Sequence, residues 1–329
     1  MKETLMKQTT AELLVQRFIW GVLGILLCCP QFIVAQQVPA ESEAQTVATF
    51  VREQETTSDF SRVQSRVSEY LKKYPSNEIL LVVDVDNTML AMNQDLGSDQ
   101  WFNWQDDLLE SDPESTDLVA TDFSGLLEVQ GLLFALSGMH PPEPELPKMV
   151  NELLAQGVQA MVLTSRGPTF RDATERELKS NAYDFSKNAP AIKEKRGLFY
   201  PFGLENPNAQ GLSVAVAQRL QSRRRSVSYS NGIFLTAGQH KGYMLRTLLA
   251  RRMVGEKDAK QFKAIVFVDD HQRHTKSMHE AYEGAELDLS TFRYSREDGN
   301  VSNFKNSSKR HVVHDWNRLS EFIDRVLVK

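Results

Sequence analysis

Apolar residues along the chain recur at two spacings that take turns. Val63, Val67, Tyr70 and Leu71 fall at helical spacing between Phe60 and Tyr74, and "YPSNE" closes that helix before an unbroken apolar run, Ile79 to Val83. Leu146, Met149, Val150, Leu153 and Leu154 form a second amphipathic stripe, ended by Gly157 and followed by a second run, "VQAMVLT" (158–164). Met244, Leu245, Leu248 and Leu249 give a third helix after Lys241, ahead of a third run, "KAIVFVDD" (263–270). Trp316, Leu319, Phe322, Ile323 and Val326 predict a last amphipathic helix. Unbroken apolar strands alternating with helices are the pattern of a parallel sheet buried on both faces. The expected fold class is therefore α/β, a Rossmann-like parallel sheet core covered by helices on both faces.

Two long segments interrupt the alternation and read as cap-like inserts, at about 91–140 and 181–236. The first contains "LGSDQWFNWQDD", in which Trp101 and Trp104 are expected to form cap core. The second contains "FYPFGLENP" and then "SVSYSNGIFLT", a hairpin around Asn231-Gly232. Inserts of this size on a compact core cover or shape a site. The expected division is a core over 79–295 with these inserts, a helical extension over 36–78 whose polar residues 36–60 form an exposed leader, and a tail and helix over 296–329.

Composition changes this picture mainly at the N-terminus. Lys2, Lys7 and Arg17 precede the apolar stretch "FIWGVLGILLCC", then Pro30 and "FIVAQQ", which is the order of a secretory signal cut after Ala35. An uncleaved anchor is the alternative, while Leu26 and Leu27 before the cysteines are too bulky for a lipoprotein site. Both cysteines, Cys28 and Cys29, lie in that segment, so the mature chain would carry no disulfide and would depend on its hydrophobic core. Removing residues 1–35 deletes three positive and two negative charges and takes the net charge from −5 to −6. No basic excess points to a nucleic-acid partner, and Arg223-Arg224-Arg225 reads as a solvated face. The expected location is periplasmic or secreted, with no stable membrane association once the signal is removed.

Candidate chemistry sits where the apolar runs end. In open parallel sheets, ligands bind beyond the carboxyl ends of the strands. Here those ends carry Asp84, Asp86 and Thr88, then Thr164-Ser165-Arg166, then Asp269-Asp270, while Lys241 opens the helix before the last strand. Residues two apart on extended backbone point the same way, so Asp84 and Asp86 can face one substrate in separate roles. One carboxylate would attack phosphorus and the other would protonate the leaving oxygen and then activate water. Two acids beside a phosphate dianion require a divalent cation and fixed positive charge. Asp270 would complete a Mg²⁺ site, Lys241 would neutralise charge, and the Thr164 hydroxyl would bind a phosphoryl oxygen.

"DVDNT", "VLTSRG", "HKG" and "VFVDD", in that order, resemble the four motifs of the haloacid dehalogenase superfamily of phosphohydrolases, over about residues 79–295. "LGSDQWF" is further similar to an exported, largely uncharacterised bacterial branch of it. The resemblance implies Asp84 as nucleophile, Asp86 as general acid/base, and Mg²⁺ held by Asp84, the Asp86 carbonyl and Asp270. The acid at Asp86 favours phosphate chemistry over dehalogenation. Many members place an acid where this chain has His274, which leaves the choice between Asp269 and Asp270 open, with Asp270 favoured by alignment.

Other readings of the same residues are weaker. A calcium loop starting at Asp84 would need Gly at Met89 and Glu at Asp95. His271, His274 and His279 match no standard zinc spacing. Asp99 and Gln100 are open between substrate and metal-bound water, and Arg166 between a second anionic group and a surface acid. The expected function is an exported phosphatase acting on a phosphorylated small molecule or a phosphoprotein. The alternatives are a catalytically weak secreted binding protein of the same fold, or a phosphotransferase.

Overall fold

The computed structural model describes residues 49–192, 197–253 and 261–326. The signal segment and most of the expected leader lie outside them. In chain order the first half comprises β1 (Arg52–Thr57), α1 (Ser61–Leu71), β2 (Ile79–Val83), β3 (Ala91–Met92), α2 (Asp99–Ser111), α3 (Phe123–Leu136), β4 (Met139–His140), α4 (Leu146–Ala155), β5 (Gln159–Thr164) and α5 (Arg171–Ser180). Then follow β6 (Leu198–Phe199), α6 (Val214–Gln221), β7 (Val227–Ser230), β8 (Ile233–Leu235), α7 (Lys241–Met253), β9 (Ala264–Asp269), α8 (Gln272–Ala281), β10 (Asp288–Tyr294), α9 (Asp298–Asn306) and α10 (Arg310–Val326).

The α/β class read from the sequence is observed. Eight strands form one sheet in the order β1-β10-β9-β2-β5-β8-β7-β6, parallel from β1 to β8 and antiparallel at β7 and β6. Period-two alternation sorts β2 onto two cores. Ile79, Leu81 and Val83 join Val63 and Val67 of α1 with Val150 and Leu153 of α4, while Leu80 and Val82 join Leu245 and Leu248 of α7 with Met278 of α8. From β2 the chain winds outward through β5 and β8, then crosses back to β9 and β10 on the other side. The direction of winding therefore reverses between β2 and β9, and their carboxyl ends open a crevice there.

The inserts differ from expectation in instructive ways. Residues 91–140 contribute α2, α3 and the small β3–β4 pair, and Trp101 is buried in a separate core with Leu96, Leu126 and Leu133. Phe304 of α9 and Val312 of α10 complete that core, so the C-terminal helices are built into the cap. The expected second insert is only partly an insert, because its end supplies β7 and β8, joined through the positive-φ residues Asn231 and Gly232 as the hairpin reading required. β8 then enters the parallel sheet beside β5.

The two outer parallel strands, β1 and β10, were not legible as strands. β1, "REQETT", falls within the expected leader, yet pairs in parallel with β10 from Arg52↔Leu289 to Thr57↔Tyr294. It is an edge strand, so charged side chains face solvent and its apolar signal is absent. β10, "DLSTFRY", is buried but carries polar residues whose partners come from distant elements. Ser290 Oγ lies 2.7 Å from the Tyr70 hydroxyl, and Thr291 Oγ1 2.9 Å from His279 Nε2. Asp288 accepts the Val51 N–H, Lys73 Nζ and the Tyr74 hydroxyl, each at 2.8 Å.

Asp288 thus ties β1 and α1 to the sheet. Burial raises its pKa, but the bonds from Lys73, Val51 and Tyr74 outweigh burial and hold the carboxyl below its ordinary 3.8. The stability it contributes is present above that value and is lost as pH falls through the lowered one. Asp288→Ala strands three donors, so it is expected to lower the stability seen in urea denaturation by about 1–3 kcal/mol at neutral pH. The deficit should shrink in acid; an equal deficit at every pH would contradict the assignment.

Candidate functional site

The site is assembled by backbone bonds at the reversal point. The Asp84 N–H donates to the Val268 carbonyl at 3.0 Å, extending the β2–β9 ladder by one step and setting Asp84 beside the end of β9. The chain then turns sharply: the Val85 carbonyl accepts the N–H groups of Thr88, Met89 and Leu90, and Asn87 takes a positive φ that Asn tolerates. Thr88 Oγ1 accepts the Asp270 N–H at 3.0 Å, which ties this turn to the end of β9.

Lys241, the first residue of α7, is 1% exposed and brings its ammonium between two carboxylates, 2.7 Å from Asp84 Oδ1 and 2.6 Å from Asp269 Oδ2. Asp269 is further engaged by His274 Nδ1 at 2.9 Å and by the His271 N–H at 2.9 Å. Burial would raise Asp269, but Lys241 and His274 hold it far below the usual carboxylate range. Burial, then Lys241, pushes the His274 imidazole down to about 4, so it is neutral. Lys241 is raised despite its burial, by Asp269 and then Asp84, and stays charged. One ammonium serves two carboxylates, and Asp84 is the less compensated of them. Burial, with Asp269 and Asp86 nearby, pushes it up to about 7 against the attraction of Lys241. A raised carboxyl pKa means that ionising Asp84 costs folded-state stability as pH rises from 3.8 to about 7.

The other expected residues are placed as follows. Asp86 turns to Arg166, which grips it with two bonds, Nε to Oδ2 at 2.9 Å and Nη2 to Oδ1 at 2.7 Å. Arg166 is itself buried, donates to Thr174 Oγ1 of α5, and stacks 3.9 Å from the ring centre of Phe134 on α3. The acid that Arg166 meets is thus Asp86 of the candidate site itself, and not the surface acid that the sequence left open. Thr164 ends β5; its Oγ1 accepts the Arg166 N–H at 3.1 Å and shapes the turn that delivers the guanidinium. Arg225 lines the cleft and Arg224 stacks over Tyr200 at 4.7 Å, so the arginine run is not a uniform solvated face.

Between core and insert lies a cleft of about 790 Å³. Asp86, Arg166 and Lys241 line it from the core; Asp99, Phe102, Phe123 and Phe134 line it from the insert. Two sets of three possible metal-ligating side chains come together among the described residues: Asp84, Asp269 and His274, and Asp99, Asp270 and His271. The first set already surrounds the Lys241 ammonium. In the second, the Asp99 carboxylate pushes the His271 imidazole up to about 9 against its burial. The sequence marked Asp99 without assigning it. Its contact with His271 joins residues too far apart in the chain for spacing to reveal, and its signal was the "LGSDQWF" stretch.

The chain belongs to the family described as "Protein of unknown function (DUF2608)", which matches residues 56–327. No curated protein sequence and no solved structure matches it significantly. Among the described residues no helix is long and apolar enough to cross a membrane.

Lys241→Ala leaves Asp84 and Asp269 buried without their shared cation, and is expected to cost about 3–5 kcal/mol in urea denaturation at pH 8. The folded variant would then bind protons that the unfolded chain does not, so the loss should be smaller at pH 5. A loss below about 1 kcal/mol at pH 8, the range of exposed pairs, would show that the ammonium is not the counter-charge of this cluster.

Proposed function

We propose that this member of a family of unknown function is an exported, divalent-cation-dependent phosphatase of haloacid dehalogenase type, in which Asp84 takes the phosphoryl group and Asp86 moves the protons. The observation that carries this reading is the buried Lys241 bridging Asp84 and Asp269 where the sheet reverses its winding. A lysine placed only for stability gains little from such a position, because burying charge is costly even when paired. A lysine that must neutralise phosphoryl charge belongs there.

In the first step an Asp84 carboxylate oxygen forms a bond to phosphorus, the bond from phosphorus to the ester oxygen breaks, and Asp86 gives that oxygen its proton. Lys241 holds Asp84 Oδ1, which fixes the carboxylate and leaves Oδ2 to attack. In the second step Asp86, now a carboxylate, takes a proton from water. The oxygen of that water bonds to phosphorus as the bond to Asp84 breaks, giving inorganic phosphate and the original aspartate. Arg166 fixes the position of the Asp86 carboxyl with two bonds. A substrate phosphate competes for the guanidinium, and its arrival frees Asp86 to act on the leaving oxygen.

Asp270 supports the cation requirement. It is buried, and its carboxylate receives no hydrogen bond among the described residues; burial first, then Asp269, Asp99 and Asp84, raises it well above the usual range against the pull of His271. A buried anion short of counter-charge beside further oxygen donors fits a hard divalent ion such as Mg²⁺, which Asp84, the Asp86 carbonyl and Asp270 would hold. Such an ion, when bound, supplies positive charge to the phosphoryl oxygens. Export rests on the N-terminal pattern alone, and the apolar wall of the cleft favours a phosphate ester with a hydrophobic group over a bare sugar phosphate.

The test is phosphate release from p-nitrophenyl phosphate by the purified protein, with divalent cation and with EDTA. Metal-dependent release is expected, abolished by Asp84→Asn and lowered roughly 10²–10⁴-fold by Asp86→Asn. Full release by Asp84→Asn, with a fold intact by circular dichroism, would overturn the mechanism.

A further inference from the structure

The proposed phosphatase centre does not use Asp99 or His271, yet both stand beside Asp270. Asp99 Oδ2 lies 3.4 Å from His271 Nε2, and Asp270 Oδ2 lies 3.9 Å from the same nitrogen. One ligand atom from each of the three residues falls within 4.8 Å of the others. These separations are long for direct hydrogen bonds, which cluster near 2.7–3.2 Å. They suit donors around one cation: at metal–ligand distances of about 2.0–2.2 Å, neighbouring donors stand ~3–3.5 Å apart and opposed ones ~4 Å.

Two further features are independent of that spacing. Asp270 is 8% exposed, and among the described residues its only ion contact is the distant His271 nitrogen. Its backbone is anchored on both sides, the N–H by Thr88 Oγ1 and the carbonyl by Arg293 Nε, which places the carboxylate at this point of the cluster. Asp99, for its part, is oriented from behind. Asn103, one turn along α2, donates Nδ2 to Asp99 Oδ2 at 2.8 Å, the kind of supporting bond that orients carboxylate ligands. Ser98 caps α2 by accepting the Trp101 N–H, which fixes where Asp99 begins the helix.

We propose that Asp99, Asp270 and His271 form a divalent-metal site shared between the parallel core and the insert, and that its imidazole selects Mn²⁺ or Zn²⁺ over Mg²⁺. Imidazole suits Zn²⁺ and other first-row transition ions, while Mg²⁺ prefers oxygen ligands and keeps its waters. The site rests on the proposed phosphatase reading only through Asp270, which the two share; Asp99 and His271 are additional. An ion would displace the proton of the His271 imidazole to solvent, and the two carboxylates and the imidazole leave the remaining coordination positions open toward the cleft that Asp99 lines. Because Asp99 belongs to α2 and Asp270 to the end of β9, a bound ion would also clamp the insert onto the core.

The experiment is metal binding by the full chain, first stripped with a chelator, so that it does not depend on turnover. Mn²⁺ is titrated while the signal of the free hexaaqua ion is followed by electron paramagnetic resonance, and Zn²⁺ and Mg²⁺ are then added as competitors. At least one Mn²⁺ per chain is expected, and the ion at this site is displaced by Zn²⁺ at far lower concentration than by Mg²⁺. The bound ion should show nitrogen hyperfine coupling in electron spin echo modulation, lost in His271→Ala. Asp99→Asn and His271→Ala should each weaken binding about 10- to 100-fold, while urea midpoints of the metal-free variants show that they fold. Binding that stays within about two-fold in both variants, with no nitrogen coupling in the wild type, would overturn the inference and leave an oxygen-only ion at Asp84, Asp86 and Asp270. Absence of any Mn²⁺ or Zn²⁺ binding would overturn it as well. The phosphatase reading fails separately, by the absence of turnover in a protein that binds the metal as described.

Discussion

The ammonium of Lys241 is the constraint on which the site and much of the core depend. It is buried between Asp84 and Asp269, which end adjacent parallel strands, so it compensates charge that the sheet topology forces together. The pair β2–β9 cannot terminate in carboxylates without a cation between them, since buried uncompensated charge drives either protonation or unfolding. The helix that carries Lys241 must therefore dock closely, and the next residue explains how it does. A Cβ on Gly242 would stand 2.3 Å from the Ser277 carbonyl and 2.7 Å from the Ala281 Cβ, both on α8. The glycine of "HKG" is thus required by the α7–α8 packing that holds the lysine over the strand ends, and not by any backbone angle.

His274 shows how a departure from the expected pattern is absorbed. An acid at that position would add a third carboxylate to a cluster served by one ammonium. The imidazole instead sits 2.9 Å from Asp269 as a neutral partner. It also divides the labour between the paired aspartates. Asp269 is fully committed to Lys241, His274 and the His271 N–H, while Asp270 has only the longer contact with His271 and shares a cluster with Asp99. On the proposed reading, Asp270 is therefore the neighbour with a carboxylate left to offer a cation.

The sequence carried the parts of the fold in which burial and chemistry coincide. β2, β5 and β9 are apolar on both faces and end in polar residues, so both the strands and the convergence of Asp84, Lys241 and Asp270 were readable from periodicity and order. β10 was not, because its buried polar residues are satisfied by Tyr70, Tyr74, Lys73 and His279, partners fixed only once the chain is folded. β1 was not, because an edge strand contributes a backbone ladder and needs no apolar side chains. The pairing of Asp86 with Arg166 was not read, since composition does not say which anion a buried guanidinium meets. The cap's dependence on Phe304 and Val312 was hidden for the same reason: the apolar face of a helix says that it packs, and not against what.

Arg166 joins these levels. Its guanidinium touches Asp86 of the core, Thr174 of α5, the Met139 sulfur of β4 and the face of Phe134 in the insert. A group fixed on four sides cannot follow Asp86 if the insert shifts, because planar stacking on Phe134 and a two-bond grip on a carboxylate each tolerate little displacement. The position of α3 is therefore coupled to the grip on Asp86. The insert thereby does more than enclose the cleft: through Phe134 it packs on the guanidinium that holds a core carboxylate, and through Asp99 it adds a second carboxylate of its own beside Asp270. An element that both roofs a pocket and completes its charged groups ties the arrangement of those groups to the seating of the insert, so the charges of the cleft and the packing of its roof are one structural problem.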